Sequence, residues 1–355
     1  MNSGLGRFDH VTLAQRVLFG SGDAARNLSL ALDGLGARRV MVLGGGHRNG
    51  AIAQVLADVP VAVRFADVAQ HVPADLVSRA IREAVAGDVD SLVAVGGGST
   101  TGLAKAIALE TGLPIVAVPT TYAGSEATDV WGVTTDGHKA TGVSSRVLPR
   151  AVIYDATLTL SLPVELSTRS GLNAVAHCVD SLWAPRADPI NRALAFEALA
   201  ALDSALRGIV VEPSGLGARE EALYGGYLAA VAFASAGSGL HHKICHTLGG
   251  MFDLPHAATH AVVLPYVVAF NEPAAPALVR RIGTVLGAES GQAALDALWS
   301  AVDAPASLRE LGMPERGVPE AARRIVEAVP PGNPRAVSVT DLERLLAAAW
   351  AGEAR

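Results

Sequence analysis

Cysteine is nearly absent from this chain of 355 residues, and so are blocks of like charge and long apolar runs. Each scarcity excludes something. The two cysteines, Cys178 and Cys245, cannot build a disulfide framework and suit a reducing compartment, so the cytoplasm is the expected location. No long basic block occurs, which removes the electrostatic footprint of a nucleic-acid partner. The longest apolar runs are short, such as AVVLPYVVAF at 261–270, and none has the length of a bilayer span, so no membrane partner is expected. The first residues, MNSGLGRFDH, carry no basic region followed by an apolar one, and no signal peptide is expected. What the chain does have is core material. Half of its residues are hydrophobic and 17% are charged, with a mild net charge of -6, a balance opposite to that of disordered chains. The length predicts two domains.

The first half alternates apolar strands with helical stretches. RRVMVLGGG (38–46), VAVRFADV (61–68), SLVAVGGGST (91–100), PIVAVPTT (114–121) and AVIYDATL (151–158) read as strands. PADLVSRAIREAVAG (73–87) and TGLAKAIALETG (101–112) read as helices between them. Wholly apolar strands alternating with helices predict a parallel sheet covered on both faces, a doubly wound α/β domain. From about residue 160 the apolar positions recur at three and four. Alanine-rich runs such as ALAFEALAALDSAL and YGGYLAAVAFASA predict an all-helical second half, with Pro163 opening its first helix. Its last helix, in VTDLERLLAAAWAGE, is expected to start at Thr340 or Asp341. The expected architecture is a Rossmann-like α/β dinucleotide-binding domain over 1–158 and an all-α substrate domain over 159–355.

Two strand ends run into glycines, at 44–46 and 96–98. Glycine lets a backbone turn tightly beside a ligand, and the helix that follows aims free N–H groups at an anion. In GGGSTTGLAKA, Gly96, Gly97 and Gly98 are followed by the hydroxyls of Ser99 and Thr100, a candidate cradle for the pyrophosphate of a nucleotide. Neither the G-x-G-x-x-G fingerprint nor a P-loop is present. His47 and Arg48 follow the first cluster with no acid between, so NADH and NADPH both remain open as the cofactor. PTTYAGSEAT (119–128) puts Thr120 and Thr121 at a strand end, where ligands of open α/β sheets bind. Lys139 adds a cation.

The helical half holds six of the ten histidines. His242 with His246, and His256 with His260, are four apart and share helix faces; Asn173 stands four before His177. A lone histidine is most often a hydrogen-bonded core residue. This clustering points instead to a site, and the residues by themselves leave a metal site and a metal-free acid–base site both open. The lack of an acid among Asn173, His177, His242 and His256 weighs against a metal. Lys243 adds positive charge, and Cys178 and Cys245, each beside a histidine (His177 and His246), read as packing.

GGGST, PTTYAGSEAT, KATGVSSRVLPRAVIYD, GLNAVAHCVDS and GLHHKICHTLGGMFDLPHAATHA resemble, in order and spacing, the iron-containing alcohol dehydrogenase superfamily over roughly residues 10–350. The resemblance implies the dehydroquinate synthase-like fold, a dinucleotide-binding α/β domain plus a helical domain with the active site in the cleft between. The family's metal ligands, an aspartate and three histidines, fall on Asn173, His177, His242 and His256, and a further active-site histidine falls on His246. The combination is most similar to the maleylacetate reductase branch, which implies reduction of a carbon–carbon double bond in a dicarboxylate and no metal. The roles that follow are pyrophosphate binding by Gly96, Gly97, Gly98, Ser99 and Thr100, and other cofactor contacts by Thr120, Thr121 and Lys139. His177, His242, His246 and His256 line the catalytic pocket, with His242 or His246 as proton donor, and His241 and Lys243 touch substrate carboxylates. A homodimer is expected. Alternatives are a metal-dependent alcohol or polyol dehydrogenase of the same superfamily, a lyase resembling dehydroquinate synthase, and a non-catalytic nucleotide sensor.

Overall fold

A strand buried on both faces must be apolar at every position, and its odd and even residues must feed two different cores. That is what the first half of the chain does. The computed structural model describes residues 7–45, 50–135 and 138–353, except the side chains of residues 138 and 139. Gly46, His47, Arg48 and the side chain of Lys139 thus lie outside the described residues.

The strands are β1 (Arg16–Phe19), β2 (Val40–Gly44), β3 (Val61–Phe65), β4 (Ser91–Gly96), β5 (Ile115–Pro119), β6 (Val130–Thr135), β7 (His138–Val143) and β8 (Ala151–Tyr154). One six-stranded sheet has the order β1-β8-β5-β4-β2-β3, with every neighbouring pair parallel. The helices between them are α1 (Ala24–Leu35), α2 (Ala51–Val55), α3 (Ala74–Ala86) and α4 (Gly98–Thr111). Val40, Val42, Val93, Val95, Val116 and Val118 pack with Leu28 and Leu32 of α1. Their alternates Met41, Leu43, Leu92, Ala94 and Ile115 pack with Leu76 of α3 and Leu103 and Ile107 of α4. Two features were not read from the sequence. β1 is a short edge strand, and β6 and β7 pair with each other as a separate antiparallel two-stranded sheet.

The second half is helical: α5 (Val164–Ser181), α6 (Pro189–Val211), α7 (Leu216–Ala236), α8 (Leu240–Phe252), α9 (His256–Asn271), α10 (Pro276–Val285), α11 (Gly291–Ala301), α12 (Val318–Ala328) and α13 (Val339–Ala351). The α13 cap is Ser338, in a reciprocal capping box with Asp341, rather than Thr340 or Asp341. No single helix among the described residues is long and apolar enough to cross a membrane.

The chain divides into Leu13–Leu162 and a unit made of Pro163–Arg355 with the segment ending at Thr12. The expected cut at 158/159 falls just ahead of this one, and residues 7–12 belong with the helices. The reason is chemical: His10 Nδ1 lies 2.7 Å from Asp188 Oδ2, and Asp188 caps α6 by accepting from the Ile190 and Asn191 N–H groups.

Helix α9 is apolar all round because both cores of the helical unit use it. Ala261, Leu264 and Val268 face one, with α5, α6, α10 and α11. Val262, Val263, Tyr266 and Val267 face the other, with α8, α12 and α13. Pro265 interrupts this helix and supplies no N–H to the carbonyl of Ala261. The Trp299 indole N–H donates to that carbonyl instead, at 2.8 Å. Trp299→Phe is therefore expected to cost about 1–3 kcal/mol for the orphaned carbonyl, read as a lower urea midpoint with an unchanged slope.

Candidate active site

In the α/β unit the glycine cradle forms where β4 enters α4. Gly97 is the N-cap residue of α4 and adopts an extended conformation without a side-chain cap, so the first N–H groups of the helix stay open for an anion. A Cβ on Gly96 would overlap Thr100 Oγ1, so the close turn requires glycine there. Thr100 itself is buried, while Ser99 is partly exposed. Gly96 pairs with Pro119 across the sheet, and its carbonyl accepts the Thr120 N–H at 3.0 Å. This brings Thr120 and Thr121, both partly exposed, beside the cradle. Gly96, Gly97, Gly98, Ser99, Thr100, Thr120 and Thr121, the described residues expected to contact a cofactor, thus meet at the carboxyl ends of two adjacent strands.

In the helical unit α5, α7, α8 and α9 assemble the imidazoles. The rings of His177 and His242 stack at 5.1 Å, and Phe233 of α7 packs on both, at 4.7 and 4.3 Å. His246 lies 6.0 Å from His242 and stacks on His256 at 6.1 Å, and His256 lies 4.4 Å from His260. Asn173 Nδ2 is 3.5 Å from His177 Nε2, one helix turn away. His177, His241, His242 and His260 are buried, whereas His246 and His256 are exposed. Lys243 is partly exposed on α8. His241 is fully buried and hydrogen-bonded to His260 at 2.9 Å, so its ring faces the core rather than the solvent side of the cluster.

One residue was missed by sequence reasoning. Asp180 is fully buried on α5 and its Oδ2 lies 2.7 Å from His242 Nδ1 and 2.7 Å from the Gly239 nitrogen. The signal was available: in HCVDS an acid follows His177 by three positions, which on a helix is the same face.

Burial governs the charge of this cluster. It pushes His177 down to about 4, against a modest opposing pull from Asp180. It holds His241, His242 and His260 well below the usual imidazole range, and the neighbouring histidines push in the same direction. Burial pushes the Asp180 carboxyl above its usual range, opposed in part by the His241 ring and by the backbone N–H groups of Gly239, His242 and His241. The buried imidazoles are neutral at neutral pH and carry lone pairs. Cys178 and Cys245 are buried free thiols raised by burial, which makes them packing residues rather than nucleophiles. His241, Cys245 and His260 bring three ligand-type atoms within 4.8 Å of one another. A metal there would break the His241–His260 bond and leave N–H groups on His241 Nδ1 and His260 Nε2, which have no acceptor among the described residues.

A depressed histidine pKa stabilises the fold above the unfolded value and is lost as pH falls. Between 6.5 and about 4 the unfolded chain takes up a proton at His177 that the folded chain does not. The stability difference between the wild type and His177→Gln is expected to fall by about 3 kcal/mol across that window, measured by urea unfolding at each pH.

Known proteins are similar to this chain in sequence and in fold. The model of the iron-containing alcohol dehydrogenase family matches residues 14–156, and that of the C-terminal part of the same family matches residues 167–350. Maleylacetate reductase 2 of Cupriavidus pinatubonensis is 47% identical over 95% of this chain and 95% of its own. The crystal structure of iron-containing alcohol dehydrogenase from Corynebacterium glutamicum superposes with a TM-score of 0.95 at 52% identity, covering 98% of each chain. That of maleylacetate reductase from Agrobacterium tumefaciens gives 0.92 at 39% identity, covering 98% of this chain and 99% of its own.

These matches correct one expectation, that no metal is involved: the family is described as iron-containing. The sequence argument looked for negative charge only among the direct ligand positions. The structure puts a buried carboxylate, Asp180, behind His242, where it can support a neutral donor set from outside. The ligand types also fit a metal, because Asn173 Oδ1, His177 Nδ1 and His242 Nε2 are buried and have no partner among the described residues. By both family models and by identity over nearly its whole length, the chain belongs to the iron-containing alcohol dehydrogenase family.

Proposed function

We propose that this chain is a maleylacetate reductase, an oxidoreductase that moves a hydride from NADH or NADPH to the carbon–carbon double bond of maleylacetate and yields 3-oxoadipate. The observation that carries the reading is the identity of 42–47% to several curated maleylacetate reductases over 95–98% of the chain. The reaction belongs to bacterial breakdown of aromatic compounds. A cytoplasmic homodimer acting on a small dicarboxylate, with no nucleic-acid or membrane partner, is part of the proposal.

The chemistry assigns each group a task. Gly96, Gly97, Gly98 and Ser99 hold the pyrophosphate on the open N–H groups of α4, with Thr100 packed beneath the turn. Thr120, Thr121 and Lys139 contact the rest of the cofactor. Hydride adds to the carbon β to the ketone, leaving an enolate and NAD(P)+, and a proton then completes the α carbon. His246 suits the proton donor better than His242, because its ring is exposed and can exchange protons with water. His242 is buried, neutral and turned with Nδ1 toward Asp180. Lys243 offers a fixed positive charge for a substrate carboxylate, and His241 is a weaker candidate because it is buried. Asn173, His177, His242 and His256 are the residues that would hold the family's metal. When bound, that ion supplies a Lewis acid for a substrate oxygen.

A second reading, a metal-dependent alcohol dehydrogenase, is favoured by the 52% identity to the iron-containing alcohol dehydrogenase of Corynebacterium glutamicum. Following NADH and NADPH oxidation with maleylacetate and with simple aldehydes separates the two. Turnover of maleylacetate alone supports the reductase; turnover of aldehydes alone sinks it. His246→Gln is expected to lower kcat by about 100-fold or more with little change in cofactor Kd, the usual weight of a general acid.

A further inference from the structure

Helix α8 begins without a cap of its own. Its N-cap residue is Gly239, extended and with no side chain to accept the first N–H groups. The acceptor arrives from another helix: Asp180 Oδ2, on α5, takes the Gly239 N–H at 2.7 Å. The same oxygen lies 2.7 Å from His242 Nδ1. The local fit is strict, because a Cβ on Gly239 would overlap Asp180 Oδ1. One buried carboxylate therefore anchors the start of the histidine-bearing helix and addresses the ring at its third position.

We propose that Asp180 is the positioning residue of this site: it holds the proton of His242 on Nδ1 and so leaves the Nε2 lone pair bare. Two independent features support this. A carboxylate that accepts a backbone N–H at the positive end of a helix is stabilised as an acceptor and requires a donor from the ring. His242 Nε2 is buried without a partner among the described residues, the condition of an atom kept for a ligand rather than for the fold. The proposal rests on the reading that His242 serves the active site. It extends that reading by making Gly239 part of the same device, since any larger residue there displaces the carboxylate. A carboxylate that orients a functional imidazole is worth about 10- to 100-fold in metal affinity or activity.

The test uses the full chain labelled with ¹⁵N in its histidine rings and exchanged with zinc so that any bound metal is diamagnetic. His242 is assigned from the signal missing in His242→Gln. In the wild type the expected spectrum shows His242 protonated at Nδ1 and bare at Nε2. A proton on Nε2 overturns the proposal without any variant having to fold. In Asp180→Asn and Gly239→Ala the Nδ1 proton is expected to be lost or redistributed, with kcat lower by about 10- to 100-fold and cofactor Kd unchanged. Retention of the wild-type tautomer and kcat in Asp180→Asn also overturns it. If the wild type shows the Nδ1 tautomer but does not reduce maleylacetate, the substrate reading fails and the role of Asp180 stands.

Discussion

The carboxylate of Asp180 meets the start of α8 and the ring of His242 through a single oxygen, and the helical unit's chemistry depends on that contact. Burying such a charge without partners would be costly. Here the backbone of Gly239 and the imidazole supply the partners, and the charge in turn fixes where α8 begins and how the buried ring of His242 is turned. His177 and Phe233 then stack on that ring, and the remaining imidazoles follow along α8 and α9. Burial keeps the inner ones neutral, so they offer lone pairs, while His246 and His256 remain exposed. One cluster thereby contains two kinds of histidine suited to two kinds of work.

The α/β unit solves a different problem with backbone alone. Gly96 allows Thr100 to fold beneath the turn, Gly97 leaves α4 uncapped, and the carbonyl of Gly96 secures the Thr120 strand end. Side chains contribute shape and hydroxyls, but the open N–H groups at the start of α4, the feature that suits an anion, have no side-chain cap among the described residues. A buried Lys105 clamps the loop that follows. Its ammonium donates to the carbonyls of Thr128 and Val130 and to the Thr128 hydroxyl, which holds PTTYAGSEAT in place.

Much of this was legible in the sequence. Central strands such as VMVLG and IVAVP are apolar throughout because both faces are covered, and that pattern needs no partner to be recognised. The glycine cradle and the paired histidines were legible for the same reason, since their spacing carries the geometry. The edge strand Arg16–Phe19 was not, because a four-residue strand has little pattern of its own. The β6–β7 pair was overlooked because its strands lie outside the main sheet and are only partly covered. Asp180 escaped because its meaning lies across space, in α8, rather than along its own helix. The metal question was misjudged for a related reason: the anionic residue stands behind a ligand position instead of in it. The cap of α6 and the place of His10 beside it likewise depend on residues far apart in the chain.

The central claim is that this site reduces a carbon–carbon bond conjugated to a ketone and leaves the ketone intact. The direct measurement is to run the reaction with NADH or NADPH deuterated at the transferred position and to locate the label in the product by NMR. The account predicts deuterium on the chain carbon β to the ketone, in 3-oxoadipate that keeps its carbonyl. Deuterium on a carbinol carbon, in a hydroxy acid that keeps its double bond, would contradict it.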